Sequence, residues 1–115
     1  MDNVFFNYEA KEFVTRHMIA GIRGKNTSAA VECEVIVDHE LYMERSANIG
    51  RLADGSNVLS LDGLVFFIKK SVWLEHFDFI PNVRAALIFD GKRYLIEALN
   101  DDFGFLDFTL SGMRG

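Results

Sequence analysis

A mainly antiparallel α+β fold is predicted for this 115-residue chain: a small β-barrel or sandwich with an N-terminal amphipathic helix and a long internal loop. Three observations predict it. Residues 83–110 read as a three-stranded β-meander, with Asp90-Gly91 set between two apolar runs. Residues 29–38 alternate apolar and polar side chains with period two. Strands and helices do not alternate as βαβ units, and eleven phenylalanines require the strands to curl around a shared interior.

Taken in order, residues 4–22 come first. Phe6, Ala10, Phe13, Val14, His17, Met18 and Gly21 fall at spacings of three and four, which predicts one apolar helical stripe. Asp2 or Asn3 can cap its start, and Gly21 and Gly24 offer stops. From Ala29 to Asp38 the period drops to two, with Val31, Cys33, Val35 and Val37 on one face and Glu32 and Glu34 on the other. Residues 41–61 hold no sustained period and contain Gly50 and Asp54-Gly55. They are predicted to be a long loop, with 42–60 the most mobile internal segment, ordering on a partner. Leu64–Lys70 is a predicted strand ending on Lys69 and Lys70, and 71–79 a short helix or broken turn closed by Pro81.

In the meander, Asp90-Gly91 has the chemistry of a two-residue turn with positive φ at both positions. The second connection, Asn100–Gly104, has the length and glycine of a longer hairpin loop. Leu87, Phe89, Tyr94 and Ile96 are the expected packing residues.

One domain spanning 1–115 is the reading that this length supports. A net charge of −5 argues against a general nucleic-acid binder. The start of the chain shows no basic, then apolar, leader pattern, and the run Leu64–Ile68 is far too short to cross a bilayer. Cys33 is the lone cysteine, so no internal disulfide forms, which suits a reducing compartment.

Candidate chemistry is sparse. His17, His39 and His76 match no zinc spacing and read as ordinary surface or core-edge histidines. Cys33 reads as a small buried hydrophobe. Asp101 and Asp102 lack calcium-loop spacing and read as solvated turn residues. Gly21-Ile-Arg-Gly24-Lys25 has the wrong spacing for a phosphate loop and Asn26 where Ser or Thr is needed. No catalytic residue, cofactor site or metal site is therefore predicted. Arg45 and Arg51, the cations of the 41–61 loop, are the expected charged partner contacts. Trp73, near Phe77 and Phe79, is a third candidate contact, with core packing as the competing reading.

Three stretches resemble a known family: Leu64-Val-Phe-Phe-Ile-Lys-Lys-Ser-Val-Trp73, Val83-Arg-Ala-Ala-Leu-Ile-Phe-Asp-Gly-Lys-Arg-Tyr-Leu-Ile-Glu97 and Gly104-Phe-Leu-Asp-Phe-Thr-Leu110. In pattern they are similar to the small bacteriophage and prophage head–tail connector proteins, also called tail-attachment or head-completion proteins. The resemblance implies a non-enzymatic virion structural protein that joins the DNA-filled head to the tail as a ring-forming connector. It implies neck or portal and tail proteins as partners, self-association during assembly, and DNA passing through the ring without specific binding. It implies residence in the host cytoplasm during assembly and then in the virion, with no membrane and no cofactor. Two other readings stand beside it: a small cytoplasmic ligand- or peptide-binding β-barrel adaptor, and an enzyme using Asp101, Asp102 or a histidine.

Overall fold

Hydrogen bonding closes six antiparallel strands on themselves. A computed structural model of the chain describes residues 13–52 and 62–112, with the helix backbone alone over 47–52. The strands are β1 (Thr15–Arg23), β2 (Asn26–Thr27), β3 (Val31–Asp38), β4 (Gly63–Lys69), β5 (Ala86–Phe89), β6 (Lys92–Asp102) and β7 (Phe105–Gly112). Two helices interrupt them, α1 (His39–Leu52) after β3 and α2 (Lys70–His76) after β4. Around the barrel the order is β1-β3-β4-β7-β6-β5, and β5 returns to β1 through Ile19↔Phe89, Ala20↔Ile88 and Gly21↔Leu87. The barrel form of the predicted fold class is the one adopted.

Period-two alternation sorts the side chains. On β4, Leu64, Phe66 and Ile68 enter the main core, while Val65 and Phe67 join a second cluster outside the barrel. On β7, Leu106, Phe108 and Leu110 point in, and Phe105 belongs to the outer cluster. Inside, the Phe66 and Phe108 rings stack at 4.6 Å, and Trp73 meets Phe108 at 5.0 Å and Phe77 at 4.2 Å. Each such ring pair contributes about 0.5–1.5 kcal/mol beyond its buried area. Leu87, Phe89, Tyr94 and Ile96 all lie in this core, as the meander pattern predicts.

Residues 15–22, predicted helical, form strand β1 instead, and residues 4–12 of that prediction lie outside the described residues. Barrel closure decides the matter, because β1 supplies the strand that both β3 and β5 need. Gly21 is not a helix stop. A Cβ there would meet the Phe79 ring at 3.2 Å and the Phe77 ring at 3.4 Å, so the glycine lets the connector after α2 close on the strand.

The predicted loop over 41–61 is also corrected. Residues 41–52 belong to α1, and 53–61 lie outside the described residues. Asp38 caps the helix by accepting the Leu41 N–H at 2.9 Å, and Glu40 stands in the first turn, where the dipole favours an acid. Tyr42, fully buried, packs with Val65, Phe67 and Phe105 on the barrel's outer face. The helix thus gives the barrel a second layer.

Both meander turns use two residues. Asp90 and Gly91 have φ of 52° and 80°, as a type I′ turn requires. Strand β6 runs on to Asp102, so the second turn is Phe103-Gly104, at φ 54° and 78°, and not a longer loop. A bulge at Glu97 shifts the register from Ile96↔Leu110 to Ala98↔Thr109, which sharpens the local twist.

Gly63 tests the outer layer. A Cβ there would drive into the Tyr42 ring and the Leu110 carbonyl. Gly63→Ala is expected to destabilise the fold by about 1–3 kcal/mol, through overpacking at a site that cannot shift both neighbours. Thermal and guanidinium unfolding of the variant would read this as a melting point lower by several degrees.

Candidate functional site

Of the three residues predicted as partner contacts, Trp73 and Arg45 have separate packing roles. Trp73 is fully buried: α2 carries it across one end of the barrel, and its indole N–H donates to the Phe79 carbonyl at 2.7 Å. It is a core residue, and its side chain cannot reach a partner without unfolding that end. Arg51 lies on α1, and its side chain falls outside the described residues. Arg45 points inward onto β7. Its two terminal nitrogens donate to the two carboxylate oxygens of Asp107 at 2.7 and 2.9 Å, and one also donates to Thr109 Oγ1 at 2.8 Å. The hydrogen-bonded Asp107 raises the guanidinium's pKa above its ordinary value, against the opposing effect of burial. This bidentate pair fastens α1 to the barrel.

A second polar cluster joins β1 to the β5–β6 turn. Asp90 Oδ2 lies 2.7 Å from His17 Nδ1, and Asp90 Oδ1 accepts the Met18 N–H at 3.0 Å. The Asp90 N–H in turn donates to the Met18 carbonyl at 2.7 Å. Thr15 Oγ1 lies 2.7 Å from His17 Nε2, and the imidazole stacks on Phe89 at 4.8 Å. Hydroxyl, imidazole and carboxylate stand in the order of a nucleophilic relay. Yet three of these hydrogen bonds tie β1 to the turn that ends β5, so the cluster acts as a clamp on the barrel seam. Partial burial pushes the Asp90 carboxyl up, but the hydrogen bonds from His17 and the Met18 amide prevail and hold it below its usual value.

The remaining candidates are dispersed. Cys33 is buried, and burial pushes its thiol up to about 11, away from nucleophilic use. His39 lies 3.4 Å from the Gly63 carbonyl, and His76 stands edge-on to Phe77. Asp101 and Asp102 are successive residues of β6, not turn residues, so their side chains leave opposite faces. Asp101 pairs with Lys70 at 2.7 Å. Among the described residues, no group of three or more His, Cys, Asp or Glu side chains is placed to hold a metal ion.

What the fold does concentrate is apolar surface at the α2 end. The pairings place the end of β1, the start of β5, the end of β6 and the start of β7 at this end. There the Phe103 side chain stands 84% exposed at the tip of the β6–β7 hairpin. Left-handed backbone for so bulky a residue costs on the order of 1–3 kcal/mol. Across the same end lies an open cavity of about 250 Å³, lined by Ile22, Arg23, Phe79, Ile80 and Pro81 among others. Arg23 reaches over the Phe79 ring at 5.3 Å, and Ile80 and Val83 are exposed nearby. Sequence reasoning missed this surface. Its one signal was a phenylalanine directly before the turn glycine, where Asn or Asp is preferred. No protein-family model, curated protein or solved structure matches the chain.

Two outcomes follow from the polar clusters. Arg45→Ala and Asp107→Ala are each expected to cost about 1–3 kcal/mol, because each strands a part-buried charge. The double variant should cost clearly less than the sum, and a denaturant-based double-mutant cycle measures that coupling. At Asp90 the folded-state pKa is lowered, so its stabilisation is present above the unfolded value near 3.9 and is lost as pH falls through the folded one. Asp90→Asn keeps a residue suited to the turn. It should therefore flatten the acid limb of the stability–pH curve below about pH 5 while leaving the turn intact.

Proposed function

We infer that this protein is a non-enzymatic structural subunit joining the DNA-filled head of a phage to its tail as a ring-forming connector. The reading rests first on the resemblance. The residues that carry it fall on β4, β7, β6 and β5, four adjacent strands of the barrel. The observation that carries it furthest is where the surface is sticky. Closure leaves the six strands hydrogen-bonded to one another, so contact with neighbours falls to hairpin tips and connectors. Those at the α2 end expose Phe103, Ile80, Val83 and Leu74.

A subunit built in this way meets its neighbour through different patches on its two sides, and such heterologous contacts close into a ring. The isolated protein stays mostly monomeric, and a preformed neck or portal surface raises the effective concentration at which the ring forms. Its net charge of −5 suits a conduit through which DNA passes without sticking. The working location is the host cytoplasm during assembly and then the virion. The rival reading, a small ligand- or peptide-binding adaptor, has the open cavity at Ile22, Phe79 and Pro81 in its favour.

Deleting the gene from a phage genome that carries it is expected to leave DNA-filled heads and separate tails that fail to join. Electron microscopy of the lysate and a plaque assay with complementation check this. Infectious particles at the wild-type yield would overturn the connector.

A further inference from the structure

The segment Gly21-Ile-Arg-Gly24-Lys25, which lacks phosphate-loop spacing, forms the end of β1 and the turn into β2. There Ile22, Arg23 and Gly24 make one wall of the open cavity of about 250 Å³, and Phe79, Pro81 and Asn82 of the connector before β5 make another. The lining is more polar than apolar. Arg23 lies over the Phe79 ring, 5.3 Å from its centre, and the Asn82 amide has no hydrogen-bond partner among the described residues.

The rim of this cavity is also where the chain leaves cations unpaired. Among the described residues, Arg16, Arg45, Lys70 and Lys92 each have a carboxylate partner, whereas Lys25, Arg84 and Arg93 have none. Lys25 directly follows Gly24, and Arg84 directly precedes the lining residue Ala85, so two of those three stand at the rim, both exposed. The opposing acid is Asp78, exposed and 3.9 Å from Arg23, a solvated pair of little strength. Arg84 also holds left-handed backbone, at φ 80°, where its N–H donates to the Ile96 carbonyl at 2.8 Å. Turn chemistry favours glycine or asparagine there, yet the position carries a cation.

Three cations on one rim select an anion, and the cavity selects what is attached to it. A bare oxyanion would leave most of the space unfilled, since a cavity of roughly 150 Å³ already takes a benzene ring. Polar walls favour a ring with hydrogen-bonding edges over a phenyl group. A nucleobase is such a ring: it stacks on an aromatic face or a guanidinium plane, and an amide offers its edge both a donor and an acceptor. We propose that the cavity holds one nucleotide, its base against Phe79 and Asn82 and its phosphate on Arg23, Lys25 and Arg84. Duplex DNA keeps its bases stacked, so the ligand is a free nucleotide or one nucleotide of a single strand. The net charge of −5 does not forbid this, because salt screens exposed charges beyond about 8 Å. The site stands independently of the connector reading, which the gene deletion tests separately.

Backbone amide NMR of the full-length protein tests it, with nucleoside monophosphates, inorganic phosphate, a single-stranded thymidine oligonucleotide and hexaglutamate as probes. A monophosphate is expected to shift the Ile22, Gly24, Asn82 and Ala85 amides saturably, and inorganic phosphate to bind about tenfold more weakly. Arg84→Gly, which suits the left-handed backbone, and Arg23→Gln should each weaken the monophosphate about tenfold without lowering the melting temperature. An oligonucleotide that binds more tightly than the monophosphate, and loses affinity with salt, places the nucleotide in a strand; equal affinity makes it a free nucleotide. No saturable shift at those amides, phosphate or hexaglutamate binding as well as the monophosphate, or full binding by both variants would overturn the site.

Discussion

The pairing of β1 with β5 is the constraint on which the rest of the structure depends. It turns an open sheet into a barrel and gives the phenylalanines an enclosed interior. An open six-stranded sheet would leave two edges of unpaired backbone and could not surround Phe66, Phe89 and Phe108. The seam spans only three residue pairs, Ile19↔Phe89 to Gly21↔Leu87, so its ladder alone is short. Two devices reinforce it. At one end Asp90 takes hydrogen bonds from His17 and the Met18 amide. At the other, Gly21 allows Phe77 and Phe79 to lie against the strand. Both work because β1 is extended, which explains why a nine-residue segment with helical spacing becomes a strand.

A second layer then forms on one side of the barrel. The outer faces of β4 and β7 carry Val65, Phe67 and Phe105 with Asp107 and Thr109, all buried. Helix α1 covers this face with Tyr42 and satisfies its acid with Arg45. Ser111, further along the face, donates to Glu97 at the bulge of β6. Among the described residues, no buried side-chain nitrogen or oxygen lacks a hydrogen-bond partner, so the polar groups of this layer cost little to bury.

Legibility in the sequence followed the strength of local signals. Strands β3 and β4, the meander and the Asp90-Gly91 turn were readable because alternation and turn chemistry are properties of neighbouring residues. Strand β1 was hidden because its pairing partners lie far away, and Ile19, Ala20 and Gly21 are buried in succession. Helix α1 was hidden because one of its inward positions is Arg45, which breaks an apolar stripe unless its partner 62 residues later is known. For Trp73, named as a candidate contact, the competing core reading was the one that its aromatic neighbours Phe77 and Phe79 supported. That Arg45 would serve the interior was not readable, since a lone cation in an aperiodic stretch gives no sign of its partner.

The two hairpin turns show where stability and another demand part company. Both are two-residue turns with positive φ at each position, and both end in glycine. At the first, Asp90 is a residue that tolerates this backbone, and its carboxylate also closes the seam. At the second, Phe103 adopts the same left-handed backbone, which a bulky residue tolerates less well. Asparagine at that position would suit the backbone better, so turn chemistry by itself does not account for the phenylalanine, whereas at the first turn it accounts for the aspartate.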